Sequence, residues 1–314
     1  MAFKRASWVI IFLAIFLVGD RVIASFLDTV VLSSKLRFSL LYSGGQEYEI
    51  LVLGNSRGVN TFYAPAIQEA TGKPTLNLSY NGMSADVAEA LFLDYLDRNR
   101  KPQLVIIEIT NLTHRSELLN DLKLYAHHSE RLMGLLREAN PETARWAKAS
   151  HLFRFNSEMF LRALYYQTSS DQTWINRYQI NRTLLNSAAN GDSQKVLTFP
   201  ENLAAMKRIV SLAQRLGISV RMVVGPYLPA YGKHLSNLGQ WVDEVGKEIA
   251  VDIPVWDYSE AITDVSAFAD RMHLNYEGSC ALLKRLIRDG VFTAPPPQSL
   301  ASSRKVFRDH GQND

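Results

Sequence analysis

At 314 residues, 47% hydrophobic and 21% charged, the chain is long and apolar enough to bury one large core, so one main domain is expected. Its 34 basic and 31 acidic residues nearly cancel to a net charge of +3, which excludes the strongly basic balance of a nucleic-acid-binding protein. Cys280 is the single cysteine, so no intrachain disulfide can form.

The predicted elements begin with an export or anchoring signal. Lys4 and Arg5 precede an uninterrupted apolar run over 8–18, a basic region followed by a hydrophobic one. That run is shorter than the ~20 residues of a perpendicular membrane helix. No small-x-small cleavage site follows it, however, and a second apolar stretch covers 22–27 after Gly19-Asp20-Arg21. The expectation is an uncleaved signal anchor over 1–27, an N-terminal membrane helix in a bacterial inner membrane, with the rest of the chain in the periplasm or otherwise outside the cytoplasm. Residues 28–46 read as a linker ending in Ser43-Gly44-Gly45-Gln46.

A globular α/β domain is expected over 47–292. The run Ile50-Leu51-Val52-Leu53 enters the turn Gly54-Asn55-Ser56-Arg57-Gly58, which reads as a buried strand delivering Ser56 at its carboxyl end. A helix over 61–70, a strand over 75–79 ending near Gly82, a helix over 84–99 and a strand over 104–111 follow. Alternating strands and helices imply right-handed crossovers and a parallel sheet, so Ser56, Gly82 and Asn111 emerge on one edge. In such sheets that edge is where sites form. The rhythm pauses over about 113–200, a helical, aromatic-rich insertion read as a lid or substrate platform, whose rings for the most part fill its own core. It resumes with a helix over 201–216, a strand over 218–224, a helix over 237–250, a strand near 253–256 and a last helix over 276–288. The polar, proline-containing tail 293–314 is expected to be disordered.

Ser56 alone could merely cap the helix that follows it. Asp270 and His273 change that weight. A hydroxyl becomes a nucleophile when a base takes its proton, and a histidine base needs a carboxylate to fix its tautomer and stabilise the imidazolium. Aspartate three residues before histidine can do so within one loop. The amides of Ser56 and Gly82 and the side chain of Asn111 are the candidate oxyanion donors. Four such features in this order, each at a predicted strand end, make coincidence a poor account.

The blocks Gly54-Asn55-Ser56, Asn77-Leu78-Ser79-Tyr80-Asn81-Gly82, Ile109-Thr110-Asn111 and Asp270-Arg271-Met272-His273 resemble those of the SGNH (GDSL-like) hydrolase superfamily, over roughly residues 48–290. The resemblance implies a flavodoxin-like three-layer α/β/α sandwich with a central parallel sheet. It also implies Ser56 as nucleophile, His273 and Asp270 as the base pair, and an oxyanion hole of Ser56, Gly82 and Asn111. The chain departs from the family pattern with Asn55 in place of aspartate, Ile109 in place of glycine and Leu112 in place of aspartate. Gly54-x-Ser56-x-Gly58 also fits the nucleophile elbow of α/β-hydrolases, but there several strands precede the serine, and the acid and histidine lie on separate loops.

The chain is similar to envelope-anchored members that add or remove acyl groups on polysaccharides. That implies a serine esterase or O-acetyltransferase acting on a cell-envelope or secreted glycan through an acyl-Ser56 intermediate. A membrane acyl-donor protein is the partner that a transferase would need. Arg57 could pair with an acidic sugar, although a surface ion pair is the plainer reading. A general lipase, esterase or thioesterase and a noncatalytic polysaccharide-binding component stay open. No cofactor motif is present. The His127-His128-x-Glu130 group hints at metal and is discounted, because histidine and glutamate on an exposed helix face are ordinarily solvated.

Overall fold

A computed structural model describes residues 2–113, 118–293 and 305–306. The chain forms two compact units, one of residues 1–45 with 118–171, the other of 46–117 with 172–314.

The second unit is α/β, built on a central parallel sheet. Its strands are β1 (Ile50–Leu53), β2 (Thr75–Asn77), β3 (Leu104–Glu108), β4 (Ser219–Val224) and β5 (Val255–Asp257). A sixth, two-residue strand, β6 (Lys305–Val306), extends the β5 edge. The order is β2-β1-β3-β4-β5-β6, with every neighbouring pair parallel. Strand order 2-1-3-4-5 is that of flavodoxin-like sheets, in which the chain reverses direction between β1 and β3 and opens a crevice there.

Strand residues are buried almost without exception, which is why the sequence shows continuous apolar runs rather than alternation. Helices Ala85–Arg98, Pro200–Arg215 and Leu238–Ile249 form one packed group, and Tyr276–Arg288 packs with Ser56–Thr61 and Ala64–Thr71 in another. Crossovers that travel in opposite directions with the same right hand set the two groups on opposite faces of the sheet.

The helix expected over 61–70 occurs as two. Ser56–Thr61 begins directly after the β1 turn, and Ala64–Thr71 starts afresh at Phe62-Tyr63, where Pro65 in the first helical turn denies the chain a continuous ladder. The last helix occupies Tyr276–Arg288, with Asn275 accepting from Gly278 N at 3.0 Å as its cap. Of the tail expected to be disordered, 294–304 and 307–314 lie outside the described residues, and Lys305–Val306 pairs with β5.

The first unit is helical. Its longest element is Ala2–Leu32, the helix in which the signal anchor was expected. Among the described residues no helix is long and apolar enough to cross a membrane. Asp20, within this helix, is bonded into the unit. Its carboxylate, 3% exposed, accepts from Ser150 Oγ at 2.6 Å, His151 N at 2.8 Å and Leu152 N at 3.1 Å.

The linker expected over 28–46 is not one. Residues up to 32 continue the first helix, and Arg37–Ser43 forms another with Phe38, Leu41 and Tyr42 buried. Arg37 is fixed by a buried ion pair to Asp171 at 2.6 Å. The turn signal was correct only at its end, where Gly44 and Gly45 adopt φ of 75° and 70°. The insertion expected over 113–200 is likewise divided: 118–171 belongs with the N-terminal helices, whereas 172–200 belongs with the sheet. Its rings behave differently from one another. Phe155 and Tyr166 are buried, with Phe155 edge-on to Phe160 at 5.2 Å, whereas Trp146 and Tyr165 are exposed.

Candidate active site

Ser56 is the first residue of the helix that follows β1, and the cap of that helix is Asn55, whose side chain accepts from Arg57 N at 2.8 Å. Capping is therefore done by its neighbour, and the Ser56 hydroxyl is left for other partners. His273 Nε2 stands 2.7 Å from Ser56 Oγ. His273 Nδ1 stands 2.8 Å from Asp270 Oδ2. The structure thus joins Ser56, His273 and Asp270 into one hydrogen-bonded chain.

The histidine loop is held from within. Asp270 Oδ1 accepts from Met272 N at 2.8 Å and His273 N at 3.0 Å, which leaves Oδ2 for the ring. Ala269 N donates to His273 O at 2.9 Å, and Phe268 and Leu274 pair as an antiparallel bridge, closing the loop at its base. Burial works against the Asp270 charge, but the hydrogen bond from His273, its charge and the two backbone amides outweigh it and hold the carboxyl below its ordinary value.

Asn111 lies in a 3-10 turn, Ile109–Thr113, directly after β3. It is fully buried, and neither Nδ2 nor Oδ1 has a hydrogen-bond partner among the described residues. A buried amide without partners costs about 1–3 kcal/mol, and this one stands at the end of β3, beside the strand that delivers Ser56. Ile109, which stands where the family pattern has glycine, is accommodated as a fully buried residue.

Gly82 occupies the turn after β2, closed by Met83 N to Tyr80 O at 3.1 Å, with φ of 69° in the left-handed region. Tyr80 N donates to Gly54 O at 3.2 Å and ties this turn to the one before Ser56. No hydrogen bond joins Gly82 to Ser56.

Arg57 overturns the expectation of an acidic-sugar contact or a surface ion pair. It is 2% exposed, and each guanidinium nitrogen is engaged: Nε with Glu108 Oε1 at 3.3 Å, Nη1 with Met272 O at 2.7 Å, Nη2 with Gly225 O, and the group lies 3.6 Å from the centroid of the Tyr227 ring. Burial also pushes the Tyr227 phenol up to about 12, so the ring meets the cation as a neutral face. A guanidinium buried to this extent, with a hydrogen bond at each of its three nitrogens, is not presented to a ligand in solvent.

Glu108, at the end of β3, was missed. It is fully buried and accepts from Arg57, from the Thr110 amide at 3.2 Å and hydroxyl, and from Gly225 N at 3.3 Å. The signal was available, since a carboxylate within an apolar strand needs a buried partner. The glycines of the 54–58 turn also have a packing reason. A Cβ at Gly54 would lie 2.9 Å from Glu108 Cβ, and one at Gly58 would overlap the Ser79 hydroxyl and lie 2.9 Å from Ser79 Cβ.

Of the insertion, residues 172–181 border the histidine loop: Ile180 N donates to Phe268 O at 2.8 Å and Tyr276 N to Asn176 O at 2.8 Å. Trp174, Arg177 and Tyr178 are exposed on this stretch.

Chemically, the arrangement offers a hydroxyl with an imidazole placed to take its proton, a carboxylate orienting that imidazole, and an unpaired amide at the neighbouring strand end. None of the known protein families scanned matches the chain, and no curated protein matches it. Among solved structures, the chain is similar to a Streptococcus pneumonia protein provisionally described as a platelet activating factor. The match has 14% identity and a TM-score of 0.42, over 90% of this chain and 98% of that one, a likeness too loose to carry an argument.

Proposed function

We propose that the protein is a serine-dependent acyl-ester hydrolase or O-acyltransferase of SGNH type, acting on an acylated polysaccharide of the cell envelope or a secreted glycan. The observation that carries the chemical reading is the chain from Ser56 Oγ through His273 to Asp270, at 2.7 and 2.8 Å. The family reading rests on the sequence blocks around Ser56, Gly82, Asn111 and His273 together with the flavodoxin-like strand order.

In this reading His273 Nε2 takes the Ser56 hydroxyl proton as Oγ attacks the ester carbonyl carbon. The negative charge that develops on the carbonyl oxygen is met by the amides of Ser56 and Gly82 and by Asn111 Nδ2. Collapse breaks the bond to the leaving alkoxide, to which His273 returns the proton, and acyl-Ser56 remains. Water or a sugar hydroxyl then gives its proton to His273 and attacks the acyl carbon; the bond to Ser56 Oγ breaks, and His273 returns the proton to that oxygen, which frees Ser56. Asp270 stays ionised throughout and holds the imidazole tautomer.

A glycan substrate is supported by the exposed rings of Trp174 and Tyr178 beside the histidine loop, since sugar faces stack on aromatic side chains. An envelope location and a membrane acyl donor belong to the same proposal. Their support is the sequence of Lys4 and Arg5 ahead of an apolar run in which Trp8, Phe12 and Phe16 are exposed.

The test is covalent labelling of the full chain with a fluorophosphonate. The full chain is needed because residues 1–45 form one compact unit with 118–171. Wild type should gain one phosphonyl group on Ser56, and Ser56→Ala and His273→Ala should gain none. Folded wild type that stays unlabelled overturns the reading. Acetate release from an O-acetylated glycan, compared with release from p-nitrophenyl acetate, then separates glycan chemistry from general esterase activity.

A further inference from the structure

Asp28 belongs to the helix Ala2–Leu32, and His127 and His128 end the 3-10 turn Ala126–His128 in the same compact unit. Side chains of consecutive residues ordinarily diverge. Here both imidazoles aim at one atom, with His127 Nε2 and His128 Nε2 each 3.0 Å from Asp28 Oδ1 and the ring centroids 3.6 Å apart. Tyr42 stacks against His128 at 5.9 Å and on Tyr125 at 5.3 Å, so the His128 ring is oriented by a packed aromatic column. The three candidate donor atoms lie within 4.8 Å of one another. Asp28 and His127 border a cavity of about 600 Å³, with His128 behind them.

We propose that Asp28, His127 and His128 form a binding site for a divalent first-row transition metal ion, each giving one ligand atom, with the open positions facing this cavity. Two imidazole nitrogens and one carboxylate oxygen suit the series from manganese to zinc, whereas calcium and magnesium prefer all-oxygen sets. With metal–ligand bonds of about 2.1 Å, an edge of 3.0 Å subtends about 90°, the angle between adjacent ligands of an octahedron. Each histidine can therefore sit adjacent to Asp28 in a six-coordinate site, which leaves the remaining positions for water or a ligand.

Glu130 lines the same cavity and adds a second carboxylate, while Arg21, Arg137, Lys148 and Arg154 add positive charge. Arg21 is engaged with Asp20 and the Ala149 carbonyl, and Arg154 with the His151 carbonyl. These cations oppose a bare dication and favour one carrying an anionic ligand on its open face. Sequence reading discounted this group because it placed His127, His128 and Glu130 on an exposed helix face. His127 and His128 form a 3-10 turn instead, Glu130 opens the helix Glu130–Ala139, and the third donor, Asp28, comes from a distant helix.

The experiment uses the full chain, stripped with a chelator, dialysed and titrated with cobalt(II) chloride. Wild type should take up one cobalt per chain, develop visible d–d absorption, and unfold at a higher temperature with cobalt than without. Asp28→Asn and His128→Gln should each weaken uptake by ~100-fold or more, beyond the 10–100-fold that a partner outside the coordination sphere costs. His151→Gln, on the cavity wall but outside the cluster, should bind as wild type does. Circular dichroism establishes that each variant is folded, and His127→Gln replaces any that is not. The proposal is overturned if wild type shows no saturable uptake. It is equally overturned if the ligand variants bind like wild type, or if His151→Gln loses binding as they do.

Discussion

Arg57, which follows Ser56, donates through Nη1 to the carbonyl of Met272, which precedes His273, at 2.7 Å. The neighbour of the hydroxyl thus holds the neighbour of the base, and the 2.7 Å approach of His273 Nε2 to Ser56 Oγ is fixed from outside the reacting pair. Shortening this residue should therefore act on rate more than on substrate binding. Arg57→Lys keeps a charge but cannot reach Glu108, Gly225 and Met272 together. It should lower kcat by ~10-fold or more with KM little changed. Steady-state kinetics on p-nitrophenyl acetate measures the split.

Glu108 neutralises that guanidinium where neither is solvated, at 0% and 2% exposure. Breaking a buried pair leaves a lone charge, so Glu108→Gln should cost about 3–5 kcal/mol of stability. Urea unfolding checks this, and a loss below about 1 kcal/mol would mean that the pair is not closed in solution.

Asn111→Ala is expected to separate activity from stability. The side chain makes no hydrogen bond among the described residues, so removing it should leave Tm unchanged or raised. Loss of an oxyanion donor should still lower kcat by about 10²–10³-fold. A fall in Tm with unchanged kcat would assign Asn111 a structural role.

Asp270 is held below its ordinary carboxyl value of 3.8, so it is ionised wherever the protein is assayed near neutrality. Its protonation cannot cause any loss of rate between about pH 5 and pH 8. A depressed folded value contributes stability that is present above 3.8 and lost as pH falls below it. Asp270→Asn should lower kcat by about 10³–10⁴-fold at every pH in that range, because the amide permits the wrong imidazole tautomer. A pH–rate profile of wild type and variant makes the comparison.

Asp20 supplies a test in the helical unit. Burial opposes its charge, but bonds from Ser150, Leu152, His151 and Arg21 offset this and hold the carboxyl at about 2. The stabilisation it confers is complete above 3.8 and disappears as pH falls towards 2. Asp20→Asn should cost about 1–2 kcal/mol near neutral pH, because it removes the charge and one of the two oxygens that accept from His151 and Leu152. Wild type and variant should converge in thermal stability near pH 2.

What the sequence disclosed depended on the range of the forces involved. Periodicity and turn chemistry located β1, β3, β4 and the last helix to within a few residues, because apolar runs and glycine stops act locally. The Asp270–His273 pair was visible because three residues suffice to make it. Arg57 was misread because its partners Glu108, Gly225, Tyr227 and Met272 come from three later segments, and only the closed sheet sets them around one guanidinium. Residues 28–46 were misread because Gly44-Gly45 dominates the local signal, whereas the burial of Phe38, Leu41 and Tyr42 is a tertiary outcome.

The histidine loop, closed by the Phe268–Leu274 bridge and by Asp270 bonding its own backbone, places acid and base on one rigid hinge-free segment. Orientation of the imidazole and its distance from Ser56 are thereby separate engineering problems. The first is settled within the seven residues 268–274, and the second is a displacement of that segment as a whole. Changes at its base, at Phe268 or Leu274, should slow the proposed reaction while leaving the shape of its pH profile intact, the behaviour of a tool that has been moved rather than blunted.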